Sequence, residues 1–279
     1  MVLPIEVVVG RQTPPRMMPV VWRLPGGRRW RRRMAAPTRS STVDASGRGC
    51  RTRSRRGEIV GASVRLKYMA KSALRPLLFR HAPIGLQPER LHMWLGVLKD
   101  TQDLTGSVVE VGCSVGGTAA FSGRMLKRLG VEKRYVCVDT FGGFVEGQFS
   151  DDLERGTRKA TRTMFDANSV SLVRRNLDAL GAPQVELVQG DIVTVAEDAL
   201  PPAICAGLVD VDLSEPVYVA LKRLYARLQP GGVLLVDDCP EGYHWKAREG
   251  YLQFVEEYGL PPVVEYGMGV VSRPRLAGS

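Results

Sequence analysis

From Leu86 to Lys99 the apolar positions recur at helical spacing, with Leu91, Trp94, Leu95 and Leu98 on one face and Pro88 in the first turn. That pattern predicts a helix, placed across the edge of a sheet where it helps close a pocket. The period then changes. Val108, Val109 and Val111 form a β-rich run that stops at Gly112, and helical spacing returns after Gly117 through Thr118, Ala119, Ala120, Phe121, Met125, Leu126 and Leu129. Strand, tight glycine turn and helix are the opening unit of a doubly wound, Rossmann-like α/β domain. A second strand, Tyr135 to Val138, ends in Asp139. Thr140 to Asn168 is long, polar and glycine-bearing, which predicts a lid or substrate loop over about 140–168. A helix follows from Ser169 to Leu180 with Val170, Val173 and Leu177 inward, and a third strand, Val185 to Gln189, runs into Gly190 and Asp191. Leu208 to Val211 is predicted as the fourth strand, Pro216 to Leu228 as a helix, Gln229 to Gly232 as a turn and Val233 to Val236 as the fifth strand. A right-handed crossover makes the fourth and fifth strands neighbours.

The candidate chemistry lies at the ends of these strands. Gly112, Gly116 and Gly117, with Ser114 in the same turn, bring the backbone and a helix N-terminus close to a ligand. Glu110 sets the sign of that ligand. A carboxylate there repels a pyrophosphate and welcomes the ammonium of a methionine moiety, which favours S-adenosylmethionine over a dinucleotide. Asp139 is placed to grip a ribose diol, a feature that dehydrogenases share. Asp191 is placed to accept from an adenine amine, and equally to serve as a cap or turn residue. Asp210 and the Asp237–Asp238 pair meet at one edge of the cleft, where three carboxylates repel one another unless a cation joins them. Oxygen-only ligands point to Mg²⁺ or a similar hard ion; the alternative is that one or two of these acids cap helices or pair with Arg.

Charge divides the chain. Residues 1–56 hold fourteen Arg against Glu6 and Asp44, a net +12, so of the chain's +10 the remainder carries about −2. Residues 1–59 read as a disordered Arg-rich extension, either without a role or upstream of a true start at Met69, and 60–279 as the folded domain. Trp22 and Trp30 among Arg carry only a weak signal for RNA or acidic lipid. A folded part without net positive charge argues against a nucleic-acid substrate. No apolar run reaches the length of a membrane span. The five cysteines are odd in number and unclustered, which suits a reducing cytoplasm and reads Cys113 and Cys239 as small filler residues. His92, without other ligand types nearby, reads as a surface or packed residue.

Taken together, EVGCSVGG, VDTFGGF, the DVDL strand end, LYARLQPGG and VDDC resemble the TylF/MycF (macrocin O-methyltransferase) family of class I methyltransferases, over roughly Leu86 to Pro274. The resemblance implies a seven-stranded sheet ending in an antiparallel hairpin, here Val263 to Val271. It also implies methyl transfer from S-adenosylmethionine to a hydroxyl of a sugar or other small natural product, and a Mg²⁺ site on Asp210, Asp237 and Asp238. The chain departs from the family at Ser214, where a tyrosine is usual, at Asp191-Ile192, and in a lid without His. The base is therefore sought at His244, with Asp212 or a metal-binding Asp, Asp210 among them, as the fallback. Three other readings stay open. They are a catechol-type metal-dependent methyltransferase, which usually has Asn where this chain has Asp238, an NAD-dependent oxidoreductase, and a binding module acting through the Arg-rich stretch. Arg155, Arg158 and Arg162 make the lid compatible with an acidic or glycosylated acceptor, and lids of this kind often close against a partner subunit, which leaves a homo-oligomer open.

Overall fold

The computed structural model describes residues 82–275; the expected extension and the onset of order near Val60 lie outside the described residues. The strands are β1 (Ser107–Val111), β2 (Tyr135–Asp139), β3 (Glu186–Gln189), β4 (Ile204–Val209), β5 (Leu228–Val236), β6 (Val263–Glu265) and β7 (Met268–Ser272). They form one sheet in the order β3-β2-β1-β4-β5-β7-β6. β1 to β5 are parallel, and β7 is antiparallel to both β5 and β6. All five residues of β1 and all six of β4 are buried, as parallel strands covered on both faces must be.

The helices are α1 (Pro88–Asp100), α2 (Gly117–Arg128), α3 (Glu146–Glu154), α4 (Val170–Ala179), α5 (Ser214–Tyr225) and α6 (Ala247–Glu257). On one face, Trp94 and Leu98 of α1, Ala119 and Leu126 of α2 and Val173 and Leu177 of α4 pack with Val108, Cys137 and Leu208 of the sheet. On the other, Val217, Leu221 and Leu224 of α5 and Tyr251 and Phe254 of α6 pack with Val109, Val136 and Leu234. Ser169 caps α4, its side chain accepting from the N–H of Leu172.

Four expectations are corrected. β4 begins at Ile204 and ends before Asp210, because Ala206 and Gly207 dilute its apolar signal while taking full part in the pairing with β1 and β5. α5 starts two residues before Pro216, and Leu228 opens β5, so the Gln229–Gly232 segment lies inside a strand. α1 packs on the sheet face beside α2 and not at the edge, with fully buried Trp94 donating from Nε1 to Ser122 Oγ at 3.0 Å. The 140–168 segment is itself structured. It carries α3 and a 3₁₀ turn at Lys159–Thr161, anchored by buried Phe149 against Phe144, Leu213 and Trp245.

Candidate active site

The strands β1, β2, β4 and β5 all end at a cavity of about 320 Å³, within the roughly 300–1,000 Å³ typical of small-molecule sites. Gly112, Ser114, Asp139 and Asp191 line one part of it, and Asp210, Asp212, Asp237 and Asp238 another. Phe144, Phe165, Tyr243 and Trp245 add an aromatic wall, and Arg90 enters from α1.

The glycine turn is held by Asp139. Its Oδ2 accepts the N–H groups of Cys113 at 2.8 Å and Ser114 at 3.0 Å, while Oδ1 accepts that of Phe141 at 2.7 Å. Burial raises the pKa of this carboxyl and the three amides oppose the rise. Gly112, at φ +83°, is demanded by the backbone: a Cβ there would lie 2.0 Å from the carbonyl oxygen of Asp210. Gly116 and Gly117 are not among the residues lining the cavity. A Cβ on Gly117 would meet the Pro83 carbonyl at 2.0 Å, so this glycine admits the chain leading into α1. Asp191 is a turn residue that also faces the cavity. Its Oδ1 accepts the Val193 N–H at 2.9 Å as a turn residue does, and it lines the cavity with Oδ2 on the Gln148 amide at 2.8 Å.

Glu110 is not brought to the cavity. Side chains alternate along β1, so Glu110 shares the face of Val108 and lies 1% exposed, with the Tyr135 hydroxyl donating to its Oε2. Burial pushes its pKa to about 8; the Tyr135 bond opposes the rise and Asp139 adds to it. A carboxyl that keeps its proton at neutral pH has no charge with which to attract an ammonium, so the electrostatic reason for favouring S-adenosylmethionine does not hold in this fold.

The three acids expected together are together. Asp210, Asp237 and Asp238 each offer one oxygen, all within 4.8 Å of one another. Asp212 stands beside them, and both Asp212 (φ +63°) and Asp238 (φ +56°) have left-handed backbone, which Asp tolerates better than most residues. The pairing with Arg is present as well. Arg90 Nη1 lies 2.7 Å from Asp237 Oδ1 and 2.8 Å from Asp238 Oδ1, without dispersing the group. Burial, then repulsion among the acids, raises Asp210 and Asp212 well above the ordinary carboxylate range. Asp237 is pushed to about 6 by burial and Asp238, against the pull of Arg90. Burial and mutual repulsion hold protons on this group that a cation would displace, and the donors gathered there are all hard oxygens. These residues fit a Mg²⁺ ion.

His244 is also outside the cavity lining. Its ring sits 4.5 Å from that of Tyr243 and 4.9 Å from that of Trp245, and its carbonyl accepts from Thr157 Oγ1 at 3.2 Å. Burial, then Arg158, lowers its pKa while Asp238 opposes. Two of the lid arginines have acidic partners, Arg155 with Asp152 and Glu249 and Arg162 with Glu146. Cys113 and Cys239 are buried, and burial pushes the Cys239 thiol up to about 12. Arg90, Gln148 and the aromatic wall were not anticipated. For Arg90 there was a signal: it stands four residues before Trp94 and eight before Leu98, in the inward stripe of α1.

The strand order, the antiparallel last strands and the cavity at the carboxyl ends define a class I, Rossmann-like methyltransferase fold. Solved structures share it: the O-methyltransferase NovP at 21% identity and TM-score 0.57, covering 67% of this chain and 80% of that one, and the calicheamicin methyltransferase CalS11 at 18% and 0.57, covering 85% and 100%. The chain belongs to the macrocin-O-methyltransferase (TylF) family, which it matches over residues 89–262. It is 31% identical over 166 residues to the 8-demethyl-8-(2,3-dimethoxy-alpha-L-rhamnosyl)-tetracenomycin-C 4'-O-methyltransferase of Streptomyces olivaceus, covering 54% of this chain and 62% of that protein. It is 30% identical over 161 residues to the mycinamicin III 3''-O-methyltransferase of Micromonospora griseorubida, covering 52% and 62%. The matched part thus spans 62% of the length of these curated relatives.

Proposed function

We propose that this protein transfers the methyl group of S-adenosylmethionine to a hydroxyl of a sugar or other small natural product, with Mg²⁺ at the acidic cluster. The observation that carries the reading is one cavity with two unlike halves, a turn clasped by Asp139 on one side and Asp210, Asp237 and Asp238 on the other. The family match supports it, and so do relatives named as the 4'-O-methyltransferase of a rhamnosyl-bearing tetracenomycin and the 3''-O-methyltransferase of mycinamicin III.

When bound, the cofactor supplies an electrophilic methyl and the metal a Lewis acid for the acceptor oxygen. The chain does the rest by position. Asp139, with three of its four lone pairs taken by backbone amides, would offer the remaining one to a ribose hydroxyl, and Asp191 would accept from the adenine amine in place of Gln148. Asp210, Asp237 and Asp238 would hold the ion, and the aromatic wall would exclude water from the reacting centre. His244 is the base of this scheme, acting through a water because its ring lies outside the lining to which its neighbours Tyr243 and Trp245 belong. Burial and Arg158 favour its neutral form. No helix among the described residues is long and apolar enough to cross a membrane.

The test is transfer of labelled methyl from S-adenosylmethionine to a set of rhamnosylated polyketides and macrolides, with Mg²⁺ and with a chelator. Transfer that the chelator abolishes, and that His244→Ala slows by about 10²-fold in kcat, is the expected result. Transfer unaffected by the chelator removes the metal, and full turnover in His244→Ala removes the base. No transfer to any hydroxylated acceptor removes the reading.

A further inference from the structure

Arg90 differs from the other charged residues of the cavity because it comes from a helix on the sheet face and not from a strand end. It is 6% exposed. Its Nη1 bridges Asp237 and Asp238, and its Nε donates to the carbonyl of Tyr266 at 3.2 Å, in the β6–β7 turn. That turn is shaped to receive it. Tyr266 (φ +51°) and Gly267 (φ +78°) form a two-residue hairpin loop with both central residues left-handed. A Cβ on Gly267 would lie 2.9 Å from Arg90 Nη2 and 3.0 Å from Pro240 Cγ, so a larger residue would push the guanidinium out of its seat. The Gly267 carbonyl in turn accepts the Cys239 N–H at 2.8 Å, tying the turn to the end of β5. The guanidinium is clamped between the end of β5 and the β6–β7 turn, where four carboxyl groups converge.

We propose that Arg90 is the resident counter-cation of the acidic cluster and sets its affinity for a divalent metal by competing with the ion. The inference rests on the reading of Asp210, Asp237 and Asp238 as metal ligands. A fixed positive charge within hydrogen-bond distance of two of three ligand carboxylates occupies one oxygen of each and repels an incoming dication. It also keeps the acids gathered before the metal arrives. A neutral side chain at position 90 therefore tightens metal binding, whereas a lysine, which keeps the charge and gives up the guanidinium fork, leaves it nearly unchanged.

The experiment titrates the full chain with MnCl₂, reading free Mn²⁺ by electron paramagnetic resonance and the fold by circular dichroism. The variants are Arg90→Met, Arg90→Gln and Arg90→Lys. The neutral variants bind Mn²⁺ about tenfold more tightly than the wild type, and Arg90→Lys stays within about twofold. Neutral variants that fold only after Mn²⁺ is added support the inference equally, since the ion then replaces the guanidinium. Folded neutral variants that bind Mn²⁺ as the wild type does, or more weakly, overturn it and leave the metal site standing. Neutral variants that stay unfolded with Mn²⁺ present also overturn it. Absence of Mn²⁺ binding in the wild type and every variant overturns the metal site and the inference together.

Discussion

Glu110 and Tyr135 are a buried acid and phenol on neighbouring strands, and their pairing makes a prediction about stability. Burial takes the Glu110 carboxyl from its ordinary 4.5 to about 8 in the native state. Below about 4.5 both folded and unfolded chains hold this proton. Between there and about 8 the unfolded chain has released it and the native chain has not, so stability falls as pH rises through this window. Glu110→Gln has no proton to release. Urea midpoints measured from pH 5 to 8 should therefore decline less steeply in the variant, and an equal slope would show that Glu110 is already ionised in the fold. Nothing in the VVEV run distinguishes an acid aimed at a ligand from one aimed at a tyrosine on the next strand. Only the sheet register decides it.

At the scale of elements, the contact between α3 and α5 shows why local reading stopped short. Asp152, 1% exposed near the end of α3, accepts the Ser214 N–H at 2.7 Å and the Ser214 hydroxyl at 2.5 Å. It satisfies a donor at the start of a helix 62 residues away. The cap of α5 was thus not in its own sequence, and Pro216 was the only local mark of its start. The strands that did announce themselves, β1, β2 and β3, are short runs rich in β-branched residues that stop at a glycine or an acid. Asp152→Ala should destabilise the protein by about 1–3 kcal/mol, through the lost cap and the unpaired amide, with Asp152→Asn nearer the wild type. Thermal unfolding checks this. An unchanged midpoint in Asp152→Ala would mean that α3 does not anchor α5.

Across the whole molecule, the doubly wound sheet and the meeting of Asp210, Asp237 and Asp238 were legible, because strand ends carry site residues whatever covers the sheet, while the antiparallel hairpin came only through the family resemblance. Arg90 was not. A charge in an amphipathic helix reads as solvated unless the elements around it are known, and its partners lie 147 and 148 residues further on. The division of work within the glycine turn was hidden for the same reason: Gly117 is required by the Pro83 carbonyl, which belongs to a segment with no periodicity. The claim that joins these scales is that the turn clasped by Asp139 binds S-adenosylmethionine. Calorimetric titration of the full chain with S-adenosylmethionine, wild type beside Asp139→Asn, tests it most directly. The account predicts saturable binding in the micromolar range that weakens at least about tenfold in the variant. No heat with either protein, or the same affinity in both, would contradict it.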